Sequence, residues 1–292
     1  MAIVDRGSIR AAARSLGIAQ PAISRSVREL ERELGVTLFE RQPKGVVPTR
    51  LGELFIQRAR AAQNELMRAV DEIDQLRGKA HGNVSACLST AAHIGLLPDT
   101  LKPFRQRFPD VKLNLSEGLF PDAEAALKDS TIDFYVGPLP EQRITGKLIA
   151  EDLLENRRVI MARKGHPLAA ATSLADLVDC EWITTSITVK AEHELGPLFE
   201  RHGLPRPRIT IQAHSALTMA TVVAYSDILT MLPVQWTQFP WTESLLQKID
   251  IKETLAAPTI CIVRRANLPL TPAAEFLCDL LRRAASASRT RT

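Results

Sequence analysis

The sequence predicts an α + α/β protein: a winged helix-turn-helix with a long linker helix, followed by an α/β body. Residues 1 to 60 hold 11 Lys and Arg against 6 Asp and Glu, a charge of +5, while the rest of the chain holds 26 against 27. Two short helical patterns separated by a glycine turn open the chain, and from Val84 onward strand and helix patterns alternate. With 292 residues there is room for about two domains.

Ser8 is placed to cap a helix through Ile9–Leu16, with Ile9, Ala12, Ala13 and Leu16 on its apolar face and Gly17 as a left-handed stop. Gln20-Pro21 opens a second helix, because proline in a first turn lacks only an N–H that has no partner there, and Gly35 closes it. Ile23, Val27, Leu30 and Leu34 form one stripe toward a core; Gln20, Ser24, Arg25, Arg28 and Arg32 look outward. This arrangement suits a DNA major groove, where Gln pairs with adenine, Arg with guanine, and a helix N-terminus attracts phosphate. The candidate DNA-binding residues on this helix are Gln20, Pro21, Ser24, Arg25 and Arg28. The plain alternative is a solvated face on an amphipathic helix.

Val36–Arg41 reads as a short strand, residues 42–45 as a turn and Val46-Val47 as its return, a small basic wing whose Lys44 and Arg50 are candidates for phosphate contact. Thr49 caps a long helix to about Arg77, in which Phe55, Ala59, Leu66, Val70, Ile73 and Leu76, with Ala62 and Ala69 between them, recur at threes and fours. The simplest partner for that stripe is the same helix of a second subunit; the alternative is packing on its own domain. Residues 78–83 read as a hinge between a DNA-binding module (1–49) with its linker helix (50–77) and the body.

In the body, strands at Val84–Leu88, Val111–Leu115 and Ile132–Val136 alternate with helices at Ile94–Arg107 and Ala123–Lys128, a βαβαβ start. Further strands are expected at Arg158–Ala162, Ile209–Gln212 and Ile228–Leu232, with helices at Ala191–His202 and Ala216–Ala224. From Ile209 to Thr242 the one charged residue is Asp227, which points to a buried core bordering a polar pocket. The Ala/Ser/Arg tail from Ala284 is expected to fray.

Composition narrows the function classes. Apolar residues at 45% and charged residues at 24% exclude a disordered chain. No apolar run reaches the ~18 residues of a spanning helix, and the start, with Asp5 and Arg6, lacks a signal-peptide core, so a cytoplasmic protein without membrane contact is expected. Cys87, Cys180, Cys261 and Cys278 form no C-x-x-C pair, and none of the 6 histidines has metal-ligand spacing, so no metal and no cofactor are expected. Glycine-rich phosphate loops and a G-x-S-x-G elbow are absent, which argues against an enzyme. An exported solute-binding protein would share an α/β body but not residues 1–77.

Gly7-Ser8-Ile9-Arg10-Ala11-Ala12-Ala13-Arg14-Ser15-Leu16, Gln20-Pro21-Ala22-Ile23-Ser24-Arg25-Ser26-Val27-Arg28-Glu29-Leu30-Glu31 and Leu34-Gly35-Val36-Thr37-Leu38-Phe39-Glu40-Arg41 strongly resemble the DNA-binding module of LysR-type transcriptional regulators. Ala150–Leu154, Gly165-His166-Pro167-Leu168 and Leu270–Ala274 stand where that family has its inter-lobe crossing, its H-P-L turn and its last helix. The chain departs from the family in three places: about ten fewer residues precede Gly7, Ala19 replaces a common Ser or Thr, and Ser130-Thr131-Ile132-Asp133 lacks a frequent glycine.

The resemblance implies a two-lobed, periplasmic-binding-protein-like effector domain, with one lobe of residues 84–157 and 266–292, the other of 158–265, and assembly as a homodimer or homotetramer. Ligands of α/β sheets sit at the C-terminal ends of strands. The candidate effector-binding residues are therefore Ser89, Thr90 and His93 after the first strand, Gly137 after the third, and Thr185, Ser186, His214 and Ser215 from the second lobe, with apolar walls from Phe120, Ile187 and Met231. Donors without carboxylates suit an organic carboxylate or sulfonate. The bland reading is that these hydroxyls only cap helices. Double-stranded promoter DNA, the effector and further copies of the chain are the expected partners, with RNA polymerase a further one the class admits. The alternative function is a cytoplasmic small-molecule-binding protein whose DNA-binding module is impaired by its short N-terminus.

Overall fold

The computed structural model describes residues 1–43, 45–139, 147–184, 192–213 and 215–290. By its internal packing the chain divides into two compact units, residues 1–70 with 128–131, and residues 71–127 with 132–292.

The first unit begins with three helices, α1 (Ala2–Arg6), α2 (Ile9–Leu16) and α3 (Gln20–Leu34). Ser8 accepts from the Ala11 N–H at 3.1 Å, and Gly17 and Gly35 end α2 and α3 at φ 66° and 68°, a backbone region that favours glycine. Ile3, Ala12, Ala13 and Ile23 bury into one small core. Leu16, expected on the inner face of α2, is exposed, as is Leu34 at the far end of α3, because this core ends near Ile23 and Val27.

The wing is the antiparallel pair β1 (Phe39–Gln42) and β2 (Gly45–Pro48), shorter at its start than the expected strand from Val36. Glu31 of α3 takes the backbone N–H groups of Leu38 (2.7 Å) and Phe39 (3.2 Å), which fixes where the chain leaves the helix and turns into the wing. α4 (Arg50–Leu76) follows; Thr49 caps it by accepting from the Gly52 N–H at 2.9 Å while donating to the Thr37 carbonyl at 2.7 Å. A Cβ at Gly52 would overlap the Leu38 carbonyl, so the close approach of α4 to the wing requires glycine there.

In the second unit, β3 (His81–Leu88), α5 (Thr90–Gly95), α6 (Leu97–Arg107), β4 (Asp110–Glu117), α7 (Phe120–Lys128) and β5 (Phe134–Pro138) form the βαβαβ segment, with β3 parallel to both β4 and β5. The single helix expected over Ile94–Arg107 is two: Leu96, with ψ −42° but φ −123°, breaks the path, and Pro98 restarts it at a first-turn position. The expected hinge is also shorter, since β3 already begins at His81. Gln75 donates to the His81 carbonyl at 3.1 Å and accepts from the Ala273 N–H at 2.9 Å, and Asp71 takes the Asn83 N–H at 3.0 Å. Residues 71–76, the last turns of α4, are thus part of the second unit by their hydrogen bonds.

β6 (Leu148–Arg163) is one 16-residue strand where a short strand at 158–162 was expected. It is followed by β7 (Glu181–Thr184), α8 (Glu192–Arg201), β8 (Arg208–Gln212), α9 (Ala216–Ala224), β9 (Leu229–Pro233), α10 (Pro240–Glu243), β10 (Leu246–Ile249), β11 (Leu255–Arg265) and α11 (Pro272–Thr290). The sheet runs β4-β3-β5-β11-β6-β9-β7-β8, with β10 also on β6. β6 and β11 pair antiparallel from Leu148↔Arg265 to Arg158↔Leu255, with register shifts around Ala257–Cys261. Leu153, Ile260 and Ile262 enter the core of the first lobe, whereas Val159–Ala162 and Leu255 enter those of the second. β11 therefore changes lobe near its register shift, not at the expected 265/266 boundary, because its apolar residues Ile260–Val263 pack against β5.

Candidate nucleic-acid interface and small-molecule cavity

On α3, Gln20, Pro21, Arg25 and Arg28 are exposed and Ser24 is half-buried. At about 100° per residue, Gln20, Ser24, Arg28 and Arg25 sweep an arc of ~140° from the edge of the apolar stripe to the side opposite it, so Gln20 and Arg25 mark its two ends. The Arg28 Nε donates to the Ser24 carbonyl at 3.1 Å, which lays its guanidinium along the helix, whereas Arg25 has no hydrogen bond or ion pair among the described residues. Arg50 is exposed at the first position of α4. Lys44 lies outside the described residues. Glu31 carries no groove chemistry, yet it sets the wing beside this arc; its i,i+7 reach to Leu38 left no periodic signal in the sequence.

In the body, a cavity of about 60 Å³ opens between the two lobes. Its wall takes Ser89, Thr90 and Ala91 from the start of α5, Leu119 from the loop after β4, Pro138 from the end of β5, Asn156 and Arg158 from β6, Met219 from α9, Met231 from β9, and Trp236. This is well below the ~300 Å³ at which ligand pockets usually begin, so an organic ligand enters only as the walls separate.

Of the expected lining, Ser89, Thr90 and Met231 stand on the wall. Ser89 is buried; its oxygen accepts from the Ala92 N–H at 3.4 Å, and its O–H has no acceptor among the described residues. Thr90 differs from expectation, because its O–H donates to the Glu117 carboxylate at 2.7 Å. A carboxylate thus borders a site read as free of them. His93 turns back toward the Ser89 carbonyl, with Nδ1 at 3.3 Å, and is not on the wall. Gly137 lies behind Ser89: a Cβ there would overlap the Tyr135 hydroxyl and sit 2.8 Å from the Ser89 Cβ. Phe120 is buried elsewhere, against Tyr135 at 5.8 Å between ring centres. Ser215 is exposed and caps α9 through the Thr218 N–H at 3.5 Å. Thr185, Ser186, Ile187 and His214 lie outside the described residues.

Of the wall residues that had not been singled out, four bear on its chemistry: Asn156, Arg158, Met219 and Trp236. Asn156 and Arg158 share one face of β6 by two-residue alternation, a signal present in the sequence but cut off by starting the strand at Arg158. Met219 and Trp236 lie in the Ile209–Thr242 stretch that the sequence marks as bordering a polar pocket, although neither residue is singled out by it. The Trp236 indole N–H is buried with no partner among the described residues, and an unmade buried hydrogen bond costs about 1–3 kcal/mol. The cysteines add no reactive chemistry. Burial raises the Cys87, Cys180 and Cys278 thiols above their ordinary range, and burial plus the S–H bond to Asp152 at 3.2 Å pushes Cys261 up to about 12.

A basic recognition helix beside a wing, joined to a two-lobed body with a cavity at its crossing strands, defines a DNA-binding regulator with a small-molecule domain. Residues 1–53 match the model of the bacterial regulatory helix-turn-helix proteins of the lysR family, and residues 77–286 match the LysR substrate binding domain. The chain belongs to the LysR-type transcriptional regulators. It is 27% identical to the HTH-type transcriptional regulator TdcA of Escherichia coli (strain K12), over 95% of this chain and 88% of that one. It is 26% identical to the HTH-type transcriptional regulator GbpR of Azospirillum brasilense, over 100% of this chain and 86% of that one. Full-length CbnR in complex with its target DNA has the same fold, with a TM-score of 0.72 at 21% identity, covering 97% of this chain and 96% of that one. Its relatives being transcriptional regulators, the chain is not an enzyme. No described helix is long and apolar enough to cross a membrane.

Proposed function

We propose that the chain is a sequence-specific regulator whose DNA binding is set by a small organic anion, a carboxylate or sulfonate, in the cavity between the lobes. The observation that carries this reading is the wall itself: a buried Ser89 hydroxyl, the Asn156 amide, the Arg158 guanidinium and the unpartnered Trp236 N–H supply donors to an anion, while Met219, Met231 and Leu232 supply an apolar side. Arg158, also engaged within the chain, contributes the positive charge that the expected hydroxyls alone lacked.

Promoter DNA is read by Gln20, Ser24, Arg25 and Arg28 in the major groove, with Lys44 and Arg50 on phosphates and Pro21 starting the helix that faces them. The C-terminal half of the α4 stripe, Leu66, Val70, Ile73 and Leu76, is exposed by more than half at every position, and a second copy of α4 covers it in a dimer. The anion acts by favouring one arrangement of the lobes, since a ligand shifts an equilibrium only by its differential affinity, and RNA polymerase reads the changed complex. The test is a calorimetric screen of small carboxylates and sulfonates against the native chain, Ser89→Ala and Arg158→Gln. The expected result is one anion class that binds the native chain and is weakened roughly tenfold or more by each substitution. Undiminished binding in both variants would sink the assignment.

A further inference from the structure

The faces of α9 serve two different hollows. Ala216 and Met219 line the inter-lobe cavity, whereas Ala220, Thr221 and Ala224 line a groove of about 270 Å³ completed by Tyr225, Trp241, Thr242, Leu245 and Leu246. This groove carries no charged residue. Of its three hydroxyls the two threonines are committed to backbone: the Thr221 O–H donates to the Leu217 carbonyl at 2.8 Å, and Thr242 to the carbonyls of Trp236 (2.9 Å) and Phe239 (3.0 Å), while the third belongs to the exposed rim residue Tyr225. Small side chains, Ala220 and Ala224, form the floor. On the rim Tyr225 is 81% and Trp241 52% exposed, an unusual outlay of aromatic surface to water on a segment with so little charge.

The groove is also continuous with the inter-lobe cavity through packed rings. Trp236 of the cavity wall meets Phe239 edge-to-face at 6.5 Å, and Phe239 meets Trp241 of the groove at 6.2 Å. Thr242 on the groove wall bonds the Trp236 carbonyl, so backbone and rings both connect the two.

We infer that the α9 groove is a second small-molecule site, for a neutral apolar ligand of single-ring size, whose occupancy is coupled to the anion cavity through α9 and the Trp236–Phe239–Trp241 rings. The lining sets the class: it holds no charge, its threonine hydroxyls are committed to backbone, and its remaining polar groups sit on the rim side chains Tyr225 and Trp241 that water already reaches, so a charged ligand would recover little of its lost hydration there. The volume sets the size, just under the ~300 Å³ at which ligand pockets usually begin. The site itself stands apart from the proposed anion function; the coupling rests on it.

The experiment uses the full chain with 4-fluorotoluene as the probe, read by ¹⁹F line broadening, and compares Ala224→Leu, which fills the floor, and Thr221→Arg, which sets a charge on an already exposed rim position. Saturable binding to the native chain, weakened roughly tenfold in both variants with sedimentation unchanged, is the expected result. Ser89→Ala should leave probe binding intact, which separates this site from the anion cavity, and Phe239→Leu should leave it intact while removing any effect of the probe on the Trp236 fluorescence. Probe binding insensitive to both groove variants overturns the site. A change of oligomeric state in Thr221→Arg overturns it too, assigning the groove to contact between copies. Probe binding without any change at Trp236 in the native chain overturns the coupling.

Discussion

The recognition arc of α3 and the wall of the inter-lobe cavity are built in opposite ways. The arc is contiguous: its groups lie within nine residues of one helix, point outward, and Arg25 answers to nothing in its own unit. The wall is assembled from residues as far apart as Ser89 and Ile260, and two of its polar groups already have work inside the fold, Ser89 capping α5 and Thr90 bonding Glu117. A surface of the first kind can change its specificity with little effect on stability. One of the second kind cannot, and substitutions that probe the two should separate binding from folding in different degrees.

The largest effect is expected from Leu66→Asp. Leu66 is 71% exposed, so the change costs the folded chain little, but a buried carboxylate in a paired α4 stripe would break the dimer. Losing simultaneous engagement of two half-sites should lower operator affinity by about 10²–10⁴-fold. Sedimentation and operator titration check it together; a variant that remains dimeric moves the interface elsewhere. Gly137→Ala comes next. Its Cβ would press on the Tyr135 hydroxyl and on Ser89, both buried, and overpacking of this kind costs about 3 kcal/mol. Denaturant unfolding should show the loss, with anion binding impaired along with it, because the cavity wall and the core are one structure.

Arg25→Ala should do the converse. Unfolding should be unaltered, while affinity for the cognate site falls by about 2 kcal/mol and base preference at one position relaxes. If stability falls instead, Arg25 is a structural residue and the contrast between the two surfaces fails. Arg50→Ala should weaken all sequences alike and flatten the salt dependence by about 0.9 per lost phosphate contact. A change confined to one sequence would move Arg50 from phosphate to base.

These two constructions also explain what was legible beforehand. The caps at Ser8 and Thr49, the stops at Gly17 and Gly35, and the whole of α3 follow from residues within one or two turns of each other, so sequence pattern suffices. The proposed anion site was approached from one side only: Ser89 stands at a strand end, where the rule for α/β sheets points. Asn156, Arg158, Met219 and Trp236 were missed because their convergence depends on β6 being 16 residues long and on its register with β11. His93 and Phe120 were misplaced for a similar reason: a helix start and a helix each have two sides, and tertiary packing chose the other.

The smallest effect concerns a departure from the family that the sequence did show. Ser130, the first residue of the Ser130-Thr131-Ile132-Asp133 segment, is the one non-glycine residue with positive φ among the described residues, at 60°. Its conformation is held from outside: its carbonyl accepts from the Asn64 amide at 2.9 Å and the Arg68 guanidinium at 2.8 Å, so the peptide cannot turn to relieve the contact of its own Cβ with the backbone. A left-handed residue with a side chain costs about 1–2 kcal/mol. Glycine removes that cost but returns part of it as unfolded-state entropy. Ser130→Gly should therefore stabilise the chain by about 0.5 kcal/mol, measured as a small rise in the denaturant midpoint at unchanged slope. A fall in the midpoint would mean that the buried Ser130 side chain contributes more by packing than its backbone strain takes away.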